Sequence, residues 1–156
     1  MPDIVSVRYA QTGQSISTNH MGMREMQARA FEARDAQYLL LKAPPASGKS
    51  RALMFLGLDK LFNQGIKKVI VAVPERSIGG SFGRTDLTDY GFFADWDFNP
   101  EYNLCTPGGE SSKVIAFKNF LNDSGETILI CTHATLRFAF DAVEESIFNN
   151  TLLAID

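Results

Sequence analysis

The stretch Ala43-Pro44-Pro45-Ala46-Ser47-Gly48-Lys49-Ser50 constrains the fold more than any other part of the chain. An apolar run, Tyr38-Leu39-Leu40-Leu41, precedes it, and a segment of helical character, Arg51 to Asn63, follows. A strand, a tight loop ending in Gly-Lys-Ser and a helix start come in the order a phosphate-binding loop requires. Backbone N–H groups of such a loop and of the helix N-terminus point at one spot and hold phosphate oxygens. Gly48 lets the backbone approach a phosphate where a Cβ would intrude. Lys49 carries a charge that reaches the outer phosphates, and Ser50 offers a hydroxyl to Mg²⁺. The strict pattern has Gly where this chain has Ala43, the smallest replacement, at the strand end. The competing reading is an ordinary strand-to-helix turn with a chance Gly-Lys-Ser; the apolar strand before it weighs against that.

The pattern around this loop is strand, helix, strand. Gln37 to Lys42 reads as a strand buried on both faces. The helix Arg51–Asn63 turns Leu53, Met54, Leu58, Leu61 and Phe62 inward, and Gly65 stops it. Val69 to Val73 is a second buried strand ended by Pro74. A short helix is expected from Glu75 to Phe82, and a short strand at Tyr102 to Cys105. Ser111 to Asn122 is an amphipathic helix with Val114, Ile115, Phe117, Phe120 and Leu121 on its apolar side. Thr127 to Cys131 is a third buried strand, followed by a helix from Thr135 to about Ser146 and a last strand, Leu152 to Ile155. This alternation predicts an α/β domain with a parallel sheet and helices on both faces. The segment Arg84 to Pro100 is irregular and rich in aromatics; they form either an exposed recognition surface or, as is commoner, pins that hold a long loop to the core.

Ahead of the loop, residues 1–21 read as a polar N-terminal arm, with a strand expected at Ile4 to Tyr9, and residues 22–156 as the domain itself. Gly22 to Asp35 is helical, with Met23, Met26, Gln27, Ala30 and Phe31 on one face. Gln27 is a polar amide beside an apolar stripe. It is either a boundary residue or, one helix upstream of the phosphate loop, an adenine reader. A Gln amide accepts from adenine N6–H and donates to N7.

Composition narrows the class. The chain has 156 residues, 45% of them hydrophobic, which suits one domain with a real core. A net charge of −3 excludes a strongly basic nucleic-acid footprint, so any such contact is local. Cys105 and Cys131 are far apart in sequence and lack metal-ligand spacing; with His20 and His133 they make no zinc set. They read as buried free thiols in a reducing cytoplasm. No signal peptide and no membrane-spanning run is visible.

Asp156 follows four apolar residues and fits the carboxylate that serves the Mg²⁺ shell in phosphate-loop NTPases. In a parallel sheet, the phosphate loop, Pro74, Thr132 and Asp156 all lie at C-terminal strand ends and are expected on one edge. In these features the chain resembles the superfamily-2 helicases and translocases of the DEAD/DEAH type, and within them bacterial helicases related to the Res subunit of type III restriction enzymes. The resemblance covers about Gly22 to Asp156. Gly22-Met23-Arg24-Glu25-Met26-Gln27 looks like the adenine-recognising stretch, and Ala43 to Ser50 looks like motif I. Val73-Pro74-Glu75-Arg76 resembles motif Ia, and Cys131-Thr132-His133-Ala134 resembles motif Ib, with His133 where DEAD-box members carry Pro. Leu153-Ala154-Ile155-Asp156 looks like the opening of motif II.

The resemblance implies a RecA-like domain of an ATP-dependent nucleic-acid motor, incomplete at its C-terminus, with ATP and Mg²⁺ as cofactors. Lys49 and the loop bind phosphate, Ser50 and Asp156 serve Mg²⁺, and Lys49 and Asp156 carry catalysis. Gln27 reads adenine, and Pro74, Arg76, Thr132 and His133 meet the backbone of DNA or RNA. The glutamate that follows the motif II Asp and a second RecA-like domain lie outside this sequence, so the chain alone is expected to be inactive as an ATPase. The family's sheet also predicts that Tyr38–Lys42 does not pair with Leu152–Ile155 and is left open or covered by an N-terminal or foreign segment. Two rivals remain: another phosphate-loop ATPase or kinase, and a non-catalytic nucleotide-dependent interaction module.

Overall fold

A computed structural model describes residues 3–6 and 18–156. The chain divides into two compact units, Met1–Asp59 with Asp86–Trp96, and Lys60–Thr85 with Asp97–Asp156.

The first unit holds a two-stranded parallel sheet, β1 (Asp3–Ser6) on β2 (Leu39–Lys42), with Ile4 opposite Leu40. The strand expected at Ile4 to Tyr9 is therefore present over its first part, and its remainder lies outside the described residues. An N-terminal segment covering Tyr38–Lys42 is one of the two arrangements expected there. Helix α1 (Glu25–Glu32) is shorter than the predicted Gly22–Asp35, but its buried residues, Met26, Gln27, Ala30 and Phe31, are those of the predicted face. Met26 and Ala52 pack with Val5 into a small core that Leu39 and Leu41 line. β2 departs from expectation. It alternates half-buried and exposed residues, with Leu40 53% and Tyr38 62% exposed, because its only strand neighbour among the described residues is β1.

Helix α2 (Lys49–Asn63) begins inside the Ala43–Ser50 stretch itself. Its inward side includes Ala52, Met54, Phe55 and Leu58; Phe62, expected inside, is 65% exposed. Asp59 is buried and pairs with Arg34 at 3.7 Å. Gly65, at φ +69°, supplies the left-handed residue past the helix end. Within the first unit Phe92 meets Phe31 edge-on and Phe55 at a tilt, with ring centroids 5.8 and 4.7 Å apart, and Trp96 is fully buried. The aromatics at those positions pin the segment, as the commoner reading holds; Tyr90 and Phe93 stay exposed.

The second unit holds a parallel sheet in the order β4-β3-β5, from β3 (Lys68–Val73), β4 (Ile128–Thr132) and β5 (Thr151–Ile155). Val69 to Val73 and Ile128 to Thr132 are buried throughout, which explains their continuous apolar runs. Helices α3 (Glu110–Asn122) and α4 (His133–Ala142) pack Phe117, Phe120 and Ala139 on Ile70, Ala72, Leu129 and Cys131. Ile115, placed on the apolar side of α3 by its spacing, is 60% exposed. The short helix expected from Glu75 is a 3-10 helix, Arg76–Phe82. The strand expected at Tyr102–Cys105 is a 3-10 turn, Pro100–Tyr102, followed by a single bridge from Asn103 to Ile130. The last predicted helix ends at Ala142, and Glu145–Phe148 forms a separate 3-10 turn.

Candidate functional site

In the first unit, β2 delivers the chain into the loop and α2 takes it away. Ala43 and Pro44 leave the strand, and Pro45 and Ala46 form a turn. Ala46 has φ +59° and Gly48 φ +91°. A loop with left-handed residues at alternate positions turns successive N–H groups toward one concave side, the geometry that receives anions. An alanine at φ +59° is strained, and Ala46 is exposed, so no packing explains it. Lys49 folds back over the loop, its Nζ donating to the carbonyl of Ala43 at 3.3 Å.

Gln27 fastens this loop from α1. Its Nε2 donates to the Gly48 carbonyl at 3.0 Å, and its Oε1 accepts from the Arg24 N–H at 2.8 Å, closing the first turn of α1. Gln27 is only 2% exposed, so it is no boundary residue. One N–H and one lone pair of the amide remain for another partner. The Arg24-x-x-Gln27 spacing, which puts a Gln at the third helical position, is the signal in the sequence for this cap. A Cβ built on Gly48 would lie 2.5 Å from Gln27 Nε2. The glycine is thus required by its φ and by Gln27 as well as by any phosphate.

Two further observations concern the fit of an anion. The Ser47 hydroxyl is buried with no hydrogen-bond partner among the described residues, and such a group costs about 1–3 kcal/mol. Helix α2 carries no acidic residue in its first turn, where Lys49 and Arg51 sit instead. Cations at a helix N-terminus oppose its dipole, and a bound phosphate reverses that balance. The residues present therefore fit a phosphate group, with the Ser50 hydroxyl on the same first turn.

The second unit gathers the other candidates at one sheet edge. Val73 pairs with Thr132, and Ala72 with Ile155, so Thr132 ends its strand and Pro74, His133 and Asp156 follow the C-terminal ends of adjacent parallel strands. Pro74 and Arg76 are exposed. The Asp156 N–H donates to Ala72, and His133 Nε2 lies 3.0 Å from the Asp156 carbonyl oxygen. Thr132 is buried and its hydroxyl caps α4, accepting from the Thr135 N–H at 3.2 Å. Thr135 Oγ1 in turn donates to Glu110 Oε2 at 2.8 Å. Sequence reasoning did not find this link between α3 and α4, since Glu110 and Thr135 are far apart in the chain and fit no motif.

Cys131 is buried and its thiol is pushed up to about 12 by that burial; Cys105, expected buried, is only half-buried, and burial raises its thiol too. Both are free thiols without nucleophilic character at neutral pH. No cluster of metal-binding side chains is present among the described residues, and no described helix is long and apolar enough to cross a membrane.

The fold and site together define a two-unit α/β chain with a strand–loop–helix turn shaped for an anion. The whole chain is 64% identical over 156 residues to a protein of Bacillus subtilis (strain 168) named "Putative ATP-dependent helicase YeeB". It spans 26% of that relative's length. No family model matches the chain, and no solved structure does.

Proposed function

We propose that this chain is the ATP-binding part of an ATP-dependent nucleic-acid helicase or translocase, with a RecA-like phosphate-loop fold. The observation that carries the reading is the Ala43–Ser50 loop: left-handed Ala46 and Gly48, Lys49 laid across the strand end, and a buried Ser47 hydroxyl with no partner among the described residues. The name of the relative supports ATP use in the longer protein. Bound Mg²⁺–ATP would supply the phosphoryl group whose transfer to water drives a motor. This chain's own part is to hold it. Loop N–H groups and Lys49 take the phosphate charge, and Ser50 offers its hydroxyl to Mg²⁺. Gln27 presents its remaining donor and acceptor to adenine. In the second unit, Asp156 is the candidate carboxylate for a Mg²⁺ shell. Pro74, Arg76 and His133 offer a surface to the backbone of DNA or RNA, and Thr132 holds the start of α4 beneath them.

The likeness to helicases of the type III restriction kind rests on the motif order alone. A reducing cytoplasm is the proposed location, supported by the two free cysteines. The reading is tested in a protein of the relative's length that carries this sequence. Nucleic-acid-stimulated ATP hydrolysis, abolished by Lys49→Ala, is expected. Hydrolysis unaffected by Lys49→Ala would refute it, and phosphate transfer to a small-molecule acceptor would favour a kinase.

A further inference from the structure

We propose that Tyr90 and Arg51 form the stacking platform for the purine ring of the nucleotide, an assignment that rests on the phosphate-loop reading above. Tyr90 comes from the aromatic segment, which no motif explains. Its neighbours in sequence are anchored in the first unit: Leu87, Phe92 and Trp96 are buried, and the 3-10 turn Thr88–Tyr90 is closed by Gly91 at φ +103°. Against that anchored background the Tyr90 ring is 62% exposed.

Its position ties it to the nucleotide elements at two points. The backbone of Tyr90 lies on Gly22, where an added Cβ would be 2.6 Å from Tyr90 Cβ and 2.9 Å from its carbonyl oxygen. Gly22 opens the stretch that leads to Gln27. The ring faces Arg51, whose Cζ is 5.7 Å from the ring centroid. Arg51 sits on the first turn of α2, two residues past Lys49. A phenol ring and a guanidinium plane, paired and held at low entropic cost, are the surfaces on which bases stack.

The assignment separates two roles. Stacking is blind to base identity because every base has a π-face. Hydrogen bonding by Gln27 is not, since guanine presents O6 where adenine presents N6–H₂. Tyr90 should therefore set affinity for the base and Gln27 its identity.

The test measures binding of Mg²⁺–ATP, Mg²⁺–GTP and Mg²⁺–tripolyphosphate to the full chain and to Tyr90→Ala and Tyr90→Phe. Alanine keeps the Cβ that rests on Gly22, so only the ring is removed. Tyr90→Ala is expected to weaken ATP and GTP by a common factor of roughly 5- to 150-fold, the range of base–aromatic stacking. Tripolyphosphate binding should be unchanged, and Tyr90→Phe should bind all three as the wild type does. Unchanged ATP affinity in Tyr90→Ala would overturn the assignment. So would an equal loss of tripolyphosphate, which would make Tyr90 a support of the loop. A wild type that binds neither ATP nor tripolyphosphate would refute the phosphate-loop reading itself, and this assignment with it.

Discussion

Gln27 and Gly48, far apart in sequence, are joined by a hydrogen bond of 3.0 Å from the Gln27 amide to the Gly48 carbonyl. The same amide caps α1 through the Arg24 N–H. One side chain thus fixes a helix start and the turn of the Ala43–Ser50 loop. Gln27→Ala should destabilise the chain by about 1–2 kcal/mol, because two half-buried backbone groups, the Arg24 N–H and the Gly48 carbonyl, lose their partner. It should also remove any preference for ATP over GTP. Urea unfolding and parallel ATP and GTP titrations check both. Equal affinities for the two nucleotides in the wild type would leave Gln27 a purely structural clamp.

Gly48→Ala puts a Cβ at 2.5 Å from Gln27 Nε2 and a side chain at φ +91°. The expected cost is about 1–3 kcal/mol from the backbone, with a further steric part. A double-mutant cycle separates the two. Gly48→Ala should cost less in a Gln27→Ala background than alone, since the clash is gone and the φ strain is not. Additive effects would show that Gln27 and Gly48 do not meet as described.

Thr132 has a structural duty at the start of α4. Thr132→Ala should cost about 1–2 kcal/mol through loss of the cap, and Thr132→Ser should cost little. Arg76 is exposed past β3. In a protein of the relative's length, Arg76→Ala should weaken nucleic-acid binding about uniformly across sequences and reduce the salt slope by about 1. A changed sequence preference would mean that Arg76 reads bases.

The apolar runs and the Gly-Lys-Ser loop made most of the elements legible. β3 and β4 read correctly because strands buried on both faces keep unbroken apolar runs. β2 carries the same kind of run, Leu39-Leu40-Leu41, and misled for that reason: its exposure depends on how many strands lie beside it, which no local pattern records. Phe62 and Ile115 show the same limit, being apolar residues on helix positions that the packing leaves open. At the site, residue types predicted the loop, but not the left-handed Ala46 or the Gln27–Gly48 bond. Those depend on contacts between distant segments. The position of Tyr90 beside Gly22 and Arg51 was out of reach for the same reason.

Cys131 gives the chain an alkaline limit. Its thiol stands near 9.0 when unfolded and is raised to about 12 in the fold by burial. The fold favours the neutral thiol, so its contribution is complete below pH 9. It declines as pH rises toward 12, by up to about 1.4 kcal/mol per pH unit. Cys131→Ala should flatten that part of the pH–stability curve relative to wild type. At pH 8, the native chain should leave Cys131 unlabelled by iodoacetamide. Rapid labelling there would contradict its burial.

The central claim is that Ala43–Ser50 holds the phosphates of ATP, and calorimetric titration of Mg²⁺–ATP into the chain tests it most directly. Wild type should bind at one site, and the bound nucleotide should raise stability by about 2.7 kcal/mol when its concentration is a hundred times Kd. Lys49→Ala, which removes the charge laid across the loop, should abolish both the heat and the stabilisation while leaving the unliganded chain folded. Binding of undiminished affinity in Lys49→Ala would place the nucleotide elsewhere and contradict the account.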